Sequence, residues 1–75
     1  MSEIEITRED DETGGRYVAR LDGHEAEMTY SRAGAKRIII DHTEVPDALR
    51  GKAVGRALVE RAVMDARIEG LKIIP

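Results

Sequence analysis

The sequence predicts an α+β fold, an antiparallel meander of about four strands followed by a βαβ unit with one main helix after a glycine-arginine loop. Three observations predict it. The first half of the chain alternates polar and apolar residues in short runs separated by turn residues. From Val54 the period becomes helical. A last apolar run, LKIIP, follows the helix. A strand, a helix and a strand within about 35 residues make a parallel crossover.

Each element has its own signal. In EIEITR, 3–8, Ile4 and Ile6 share one face and predict a strand. EDDETGG is polar, ends in two glycines and predicts a solvated turn. RYVARL, 16–21, predicts a second strand, and Asp22-Gly23 predicts a two-residue hairpin turn, which needs positive φ at both positions. HEAEMTYS, 24–31, predicts a third strand with Ala26, Met28 and Tyr30 on its dry face. Residues 32–36, centred on Ala33-Gly34, predict another turn. RIIIDHTEV, 37–45, is the most hydrophobic strand, and its three consecutive isoleucines predict burial on both faces. Pro46 ends it. Val54, Leu58, Ala62 and Ala66 form an apolar helical stripe, widened by Val59 and Val63, and Gly70 is a natural stop. Met28 and Met64 are expected as core filler. The final strand is expected parallel to 37–45. A chain that stops on an apolar strand is expected to lack a C-terminal segment.

Composition narrows the function classes. Seventy-five residues make one domain, 1–75, with a limited core. Cysteine is absent, so no disulfide framework or thiolate zinc site is expected, and two histidines 18 apart make no metal site. The net charge is −3 with two tyrosines as the only aromatics, which argues against a nucleic-acid binder. No apolar run approaches a membrane span, and the acidic start is unlike a signal peptide. A soluble, cytoplasmic protein is expected, and its oligomeric state is left open.

The informative stretch is VPDALRGKAVGRALVERA, 45–62. Arg50, Lys52 and Arg56 cluster with no acid among residues 48–59. Glycines before a helix let a ligand approach the backbone, and the helix start offers free N–H groups and a partial positive charge. This is an anion site suited to phosphate. The alternative is that Gly51 and Gly55 relieve crowding between helix and sheet and that the basic side chains are simply solvated. The Walker pattern is absent because Gly51 has no glycine five residues on, and the dinucleotide pattern G-x-G-x-x-G fails as well.

HTEVPDALRGKAVGRALVERAVMDARIEGLKIIP resembles the coenzyme-A-binding core of the GNAT N-acetyltransferase superfamily, whose central motif is [Q/R]-x-x-G-x-[G/A] between a strand and a long helix. Arg50 fills the first place and Gly55 the last. With HTEVP before it, it looks most like the small stand-alone GNAT-like proteins. The resemblance covers residues 3–75 in order of elements, and its specific part is 42–70.

The resemblance implies acetyl-CoA as ligand and an amine as acceptor. The loop amides of Gly51, Lys52, Ala53, Val54, Gly55 and Arg56 would bind the pyrophosphate, with Arg50 and Lys52 adding charge. The backbone at Val45, where such strands bulge, would hold the acetyl carbonyl or pantetheine, between two strands that splay. Ala53 departs from the motif's middle glycine. Its methyl is harmless at negative φ and obstructive at positive φ.

Acetyl transfer to an amine needs a base and an oxyanion donor. Glu44 stands at the right end of the right strand, and His42, two residues away, shares its face. Either can equally be solvent-facing or structural. Thr43 points the other way and is expected to pack. Tyr30 is a possible acid but fits the core, Asp41 can pair with a lysine, and His24 is expected to be exposed beside its turn. An N-acetyltransferase therefore competes with two rivals, a non-catalytic module that binds CoA or a protein partner, and a fragment that binds nothing.

Overall fold

A computed structural model describes residues 4–74. Five strands form one sheet in the order β1-β2-β3-β4-β5: β1 (Glu5–Asp10), β2 (Gly14–Leu21), β3 (His24–Arg32), β4 (Arg37–Glu44) and β5 (Lys72–Ile74). The first four strands are antiparallel neighbours, and β5 lies parallel to β4 through the pairs Arg37↔Lys72, Ile38↔Ile73 and Ile39↔Ile74. A short 3₁₀ turn (Asp47–Leu49) and one helix, α1 (Val54–Glu69), make the crossover. This is the α+β meander and βαβ unit expected. Glu3 of the expected first strand and Pro75 of the last lie outside the described residues.

Local chemistry sets the boundaries. Asp22 and Gly23 both take positive φ, 52° and 77°, and close β2 onto β3 with Leu21 opposite His24. Asp11 caps the β1–β2 turn through its bonds from the Thr13 side chain and from the Thr13 and Gly14 amides. Glu9 and Asp10 belong to β1, so the turn is shorter than the acidic run suggested. Gly70 at φ 71° stops α1, and Leu71 N–H bonds back to Ala66 O at 2.8 Å.

α1 covers one face of the sheet. Its stripe of Val54, Leu58, Ala62 and Ala66 is buried, as its period predicts. It packs on Tyr17, Ala19 and Leu21 of β2, Ala26, Met28 and Tyr30 of β3, Ile38 of β4 and Leu49. The alanines Ala19, Ala26 and Ala62 leave room for large neighbours such as Tyr17 and Met28.

Three expectations are corrected. Met64 is 60% exposed, because it lies two residues from both Ala62 and Ala66, on the outer side of α1. Val59, expected to widen the stripe, is half exposed because it lies at the margin of the buried stripe, one residue after Leu58. The isoleucines are not buried on both faces. Ile38 is buried under α1, whereas Ile39 is half-buried on the face that no helix covers.

At the far end of α1 a charged cluster joins helix to sheet. Arg8 lies over the rings of Tyr17 and Tyr30, its guanidinium carbon 5.4 and 5.7 Å from their centroids. It donates to Tyr30 Oη at 3.0 Å, Asp65 at 3.3 Å and Glu69 at 2.5 Å. Tyr17 donates to Asp65 at 2.8 Å, Tyr30 donates to Asp10, and Arg32 donates to both Asp10 oxygens. The bond to Glu69 drives the Arg8 guanidinium's pKa upward. Burial opposes ionisation of Asp65, but the bonds from Tyr17 and Arg61 and the charges of Arg61 and Arg8 outweigh it and hold the carboxyl below its ordinary range.

Candidate functional site

The end of β4, the turn after it and the start of α1 meet at one corner of the molecule. β4 carries a bulge. Tyr30 pairs with Ile40 and Thr29 with His42, so Asp41 is the extra residue. Ser31 Oγ is bonded to the Asp41 carboxylate, the partner Asp41 takes in place of a lysine. The irregularity thus sits at Asp41 rather than at Val45, where the family pattern implied it. Strict alternation would put His42 and Glu44 on the face of Ile38 and Ile40. The bulge turns them to the opposite face, beside Thr29 and Glu27.

His42 and Glu44 are brought together, with Nε2 and Oε2 3.5 Å apart and side chains 64% and 77% exposed. Glu44 lines a depression of about 200 Å³ with Val18, Glu25 and Glu27. Thr43 does face the helix side, opposite Met28, but it is exposed because nothing among the described residues covers it. Beyond the Ile39↔Ile74 pair, the rest of β4 has no partner on that side among the described residues. An uncovered strand edge therefore runs from Ile40 to the start of α1.

The glycine-arginine loop is built by backbone conformation. Gly51 takes φ 81°, a left-handed value that favours glycine. Ala53, the N-cap of α1, takes φ 59° and ψ 23°. The position that the family fills with glycine thus does need positive φ, and the alanine methyl is strained there. Gly55 is different, because a Cβ built on it meets Val45 Cγ2 at 3.7 Å, an ordinary contact. Crowding between helix and sheet does not account for glycine at 51 or at 55.

The start of α1 breaks the usual rules of helix stability. No side chain caps it, and its first turn carries no acid. Ala57 N–H makes the first bond, to Ala53 O at 3.0 Å, so the amides of Val54, Gly55 and Arg56 have no acceptor among the described residues. The Lys52 amide is engaged with Leu49 O at 3.2 Å, which leaves Lys52 to act through its side chain.

The three cations of the loop are all exposed, and each meets a carboxylate. Arg50 lies 3.3 Å from Asp47, Lys52 2.9 Å from Asp22 and Arg56 3.5 Å from Glu60. The sequence shows no acid among residues 48–59, but Asp47 and Glu60 flank the cluster, and the fold returns the hairpin acid Asp22 to it from 30 positions away. No pattern in the sequence signals that contact. A larger depression, lined by Glu9–Asp11, Thr13–Arg16 and Thr29–Ser31, lies at the other end of the sheet. Two acids there are held below their ordinary range: Asp11 by its bonds from Thr13 and Gly14, and Asp10, whose burial is outweighed by bonds from Arg32 and Tyr30. Asp10 is thereby committed to Arg8, Arg32 and Tyr30.

A bulged strand, a glycine-bearing loop and an uncapped helix start thus follow one another from β4 to α1. The chain matches the family model for GCN5-related N-acetyl-transferase over residues 16–75 and belongs to that family. Among curated relatives it is 38% identical over 66 residues to Protein NATD1 of Xenopus tropicalis. That match covers 85% of this chain and 60% of the relative, so the chain spans less than two thirds of the protein it resembles.

Proposed function

We propose that this chain binds acetyl-CoA and transfers its acetyl group to an amine. One observation carries the reading. The first-turn amides of Val54, Gly55 and Arg56 stand without acceptors among the described residues at the positive end of α1, behind a loop with Gly51 and Ala53 in left-handed conformation. Those amides fit a pyrophosphate, and the missing Cβ at Gly55 leaves room for it to approach. Arg50, Lys52 and Arg56 add charge. The uncovered edge of β4 near Val45 suits the pantetheine arm. No helix among the described residues is long and apolar enough to cross a membrane.

When bound, acetyl-CoA supplies an activated acyl group and a thiolate leaving group. The chain's own contribution is to hold the phosphates at the loop and to present Glu44 on the helix-free face. There Glu44 takes the proton of the attacking amine, directly or through a water. His42 is the second candidate base. Binding of acetyl-CoA, followed by calorimetry and amide shift mapping, tests the reading. We expect shifts confined to residues 45–56 and loss of binding in Arg50→Glu with Gly55→Asp. Scattered shifts, or unchanged affinity in that variant, would end the phosphate-loop reading.

A second reading is a non-catalytic module that binds coenzyme A or a protein partner. The exposure of His42 and Glu44, paired with each other, favours it, because no enclosed pocket among the described residues surrounds them. Binding without transfer across a panel of amines would select it.

A further inference from the structure

The hairpin turn between β2 and β3 holds a carboxylate against the loop. Lys52 Nζ donates to Asp22 Oδ2 at 2.9 Å, and this contact links two segments 30 positions apart. The loop's other cations meet acids three and four residues away along the chain. We infer that Asp22 is an internal counter-ion of the loop, which an incoming coenzyme phosphate must displace from Lys52. The hairpin turn thereby lowers the affinity of the loop. The inference rests on the reading of this loop as a coenzyme phosphate site.

The geometry makes the competition direct. Lys52 immediately precedes Ala53, the N-cap of α1, so its ammonium and the free amides that follow serve the same anion. Both partners are about half exposed, 47% and 54%, so the pair opens readily to a ligand. A carboxylate so close also repels phosphate from within the Debye length of about 8 Å at physiological salt. The turn itself does not require this charge. At φ 52° before glycine, asparagine serves the hairpin equally well.

Asp22→Asn therefore keeps the turn and removes the counter-ion. Its test is the Kd for coenzyme A, by calorimetry at low and physiological salt. The variants are Asp22→Asn, Lys52→Gln and the pair combined, with Glu12→Gln at the distant β1–β2 turn as a control for net charge. Amide shifts of Gly51 to Arg56 are followed in parallel. We expect Asp22→Asn to bind about two- to fivefold tighter, the scale of one exposed ion pair. The gain should shrink with salt and in the Lys52→Gln background, and Glu12→Gln should leave Kd unchanged. An unchanged or weakened Kd in Asp22→Asn, or an undiminished gain without Lys52, overturns the counter-ion while wild-type amide shifts keep the loop reading standing. Wild-type amides that do not respond to coenzyme A overturn both.

Discussion

Ile40 and His42 stand two residues apart in one strand and face opposite sides of the sheet, because Asp41 between them is a bulge. Ile40 packs toward the core, and His42 lies beside Glu44 on the open face. The core and the candidate chemistry thus share β4 without competing for the same side of it.

That placement makes Glu44 testable as a base. Glu44→Gln should lower kcat by about 10²-fold, the usual scale for one proton-transfer group. His42→Gln should have the smaller effect. A kcat unaltered by Glu44→Gln would remove Glu44 from the role.

Ala53→Gly should stabilise the fold. An alanine in left-handed conformation costs about 1–2 kcal/mol, and glycine returns part of that through its freer unfolded chain, for a net gain of about 0.5–1 kcal/mol. Urea denaturation should show a higher midpoint at unchanged slope, and acetyl-CoA affinity should hold or improve. A clear loss of affinity would mean that the loop amides are wrongly registered on the phosphate.

Gly55→Ala should separate stability from binding. Its new methyl meets only Val45 at contact distance, and alanine is the better helix former by about 1 kcal/mol. The variant should melt higher, and if the proposed phosphate approaches the first turn at Gly55 it should also bind coenzyme A more weakly. If packing were the reason for this glycine, stability would fall instead.

Asp65→Asn should destabilise the protein by about 1 kcal/mol at neutral pH, since it removes the negative charge and one of the two acceptor oxygens that serve Tyr17, Arg8 and Arg61. The Asp65 carboxyl titrates lower in the folded protein than in the unfolded chain. Its contribution is therefore complete above the ordinary carboxylate pKa of about 4 and fades as pH falls through the lower folded value. Denaturation midpoints of variant and wild type should converge once the pH falls below that folded value. A gap that persists there would assign the effect to packing.

Much of this architecture was legible in the sequence because its signals are local. Alternation gave β1 to β3, Asp22-Gly23 gave the hairpin, and the fourfold spacing from Val54 gave the buried helix stripe. The motif from Arg50 to Gly55 marked the loop. What was not legible depends on pairing or distance. The bulge at Asp41 arises from the register between β3 and β4, and the approach of Asp22 to Lys52 from the whole fold. Thr43 is exposed because nothing among the described residues covers that end of β4 on the helix side, and Ile39 is only half-buried because no described helix covers its face. The strain at Ala53 could be posed as a question of φ but not answered until the backbone was in view.

The parallel pairing of β4 with β5 has a consequence for the order of assembly. The β2–β3 hairpin closes over two residues, whereas Ile38 can meet Ile73 only after the entire crossover is in place. Closing the longer loop costs more entropy and delivers its contacts later. Substitutions at Leu21 and Ala26 should therefore slow folding, while Ile73→Val should mainly speed unfolding. The glycine-arginine loop belongs to that crossover. It should be the last part of the chain to order in folding and the first whose amides exchange with solvent, so a ligand that binds there would act as the clasp on the final step.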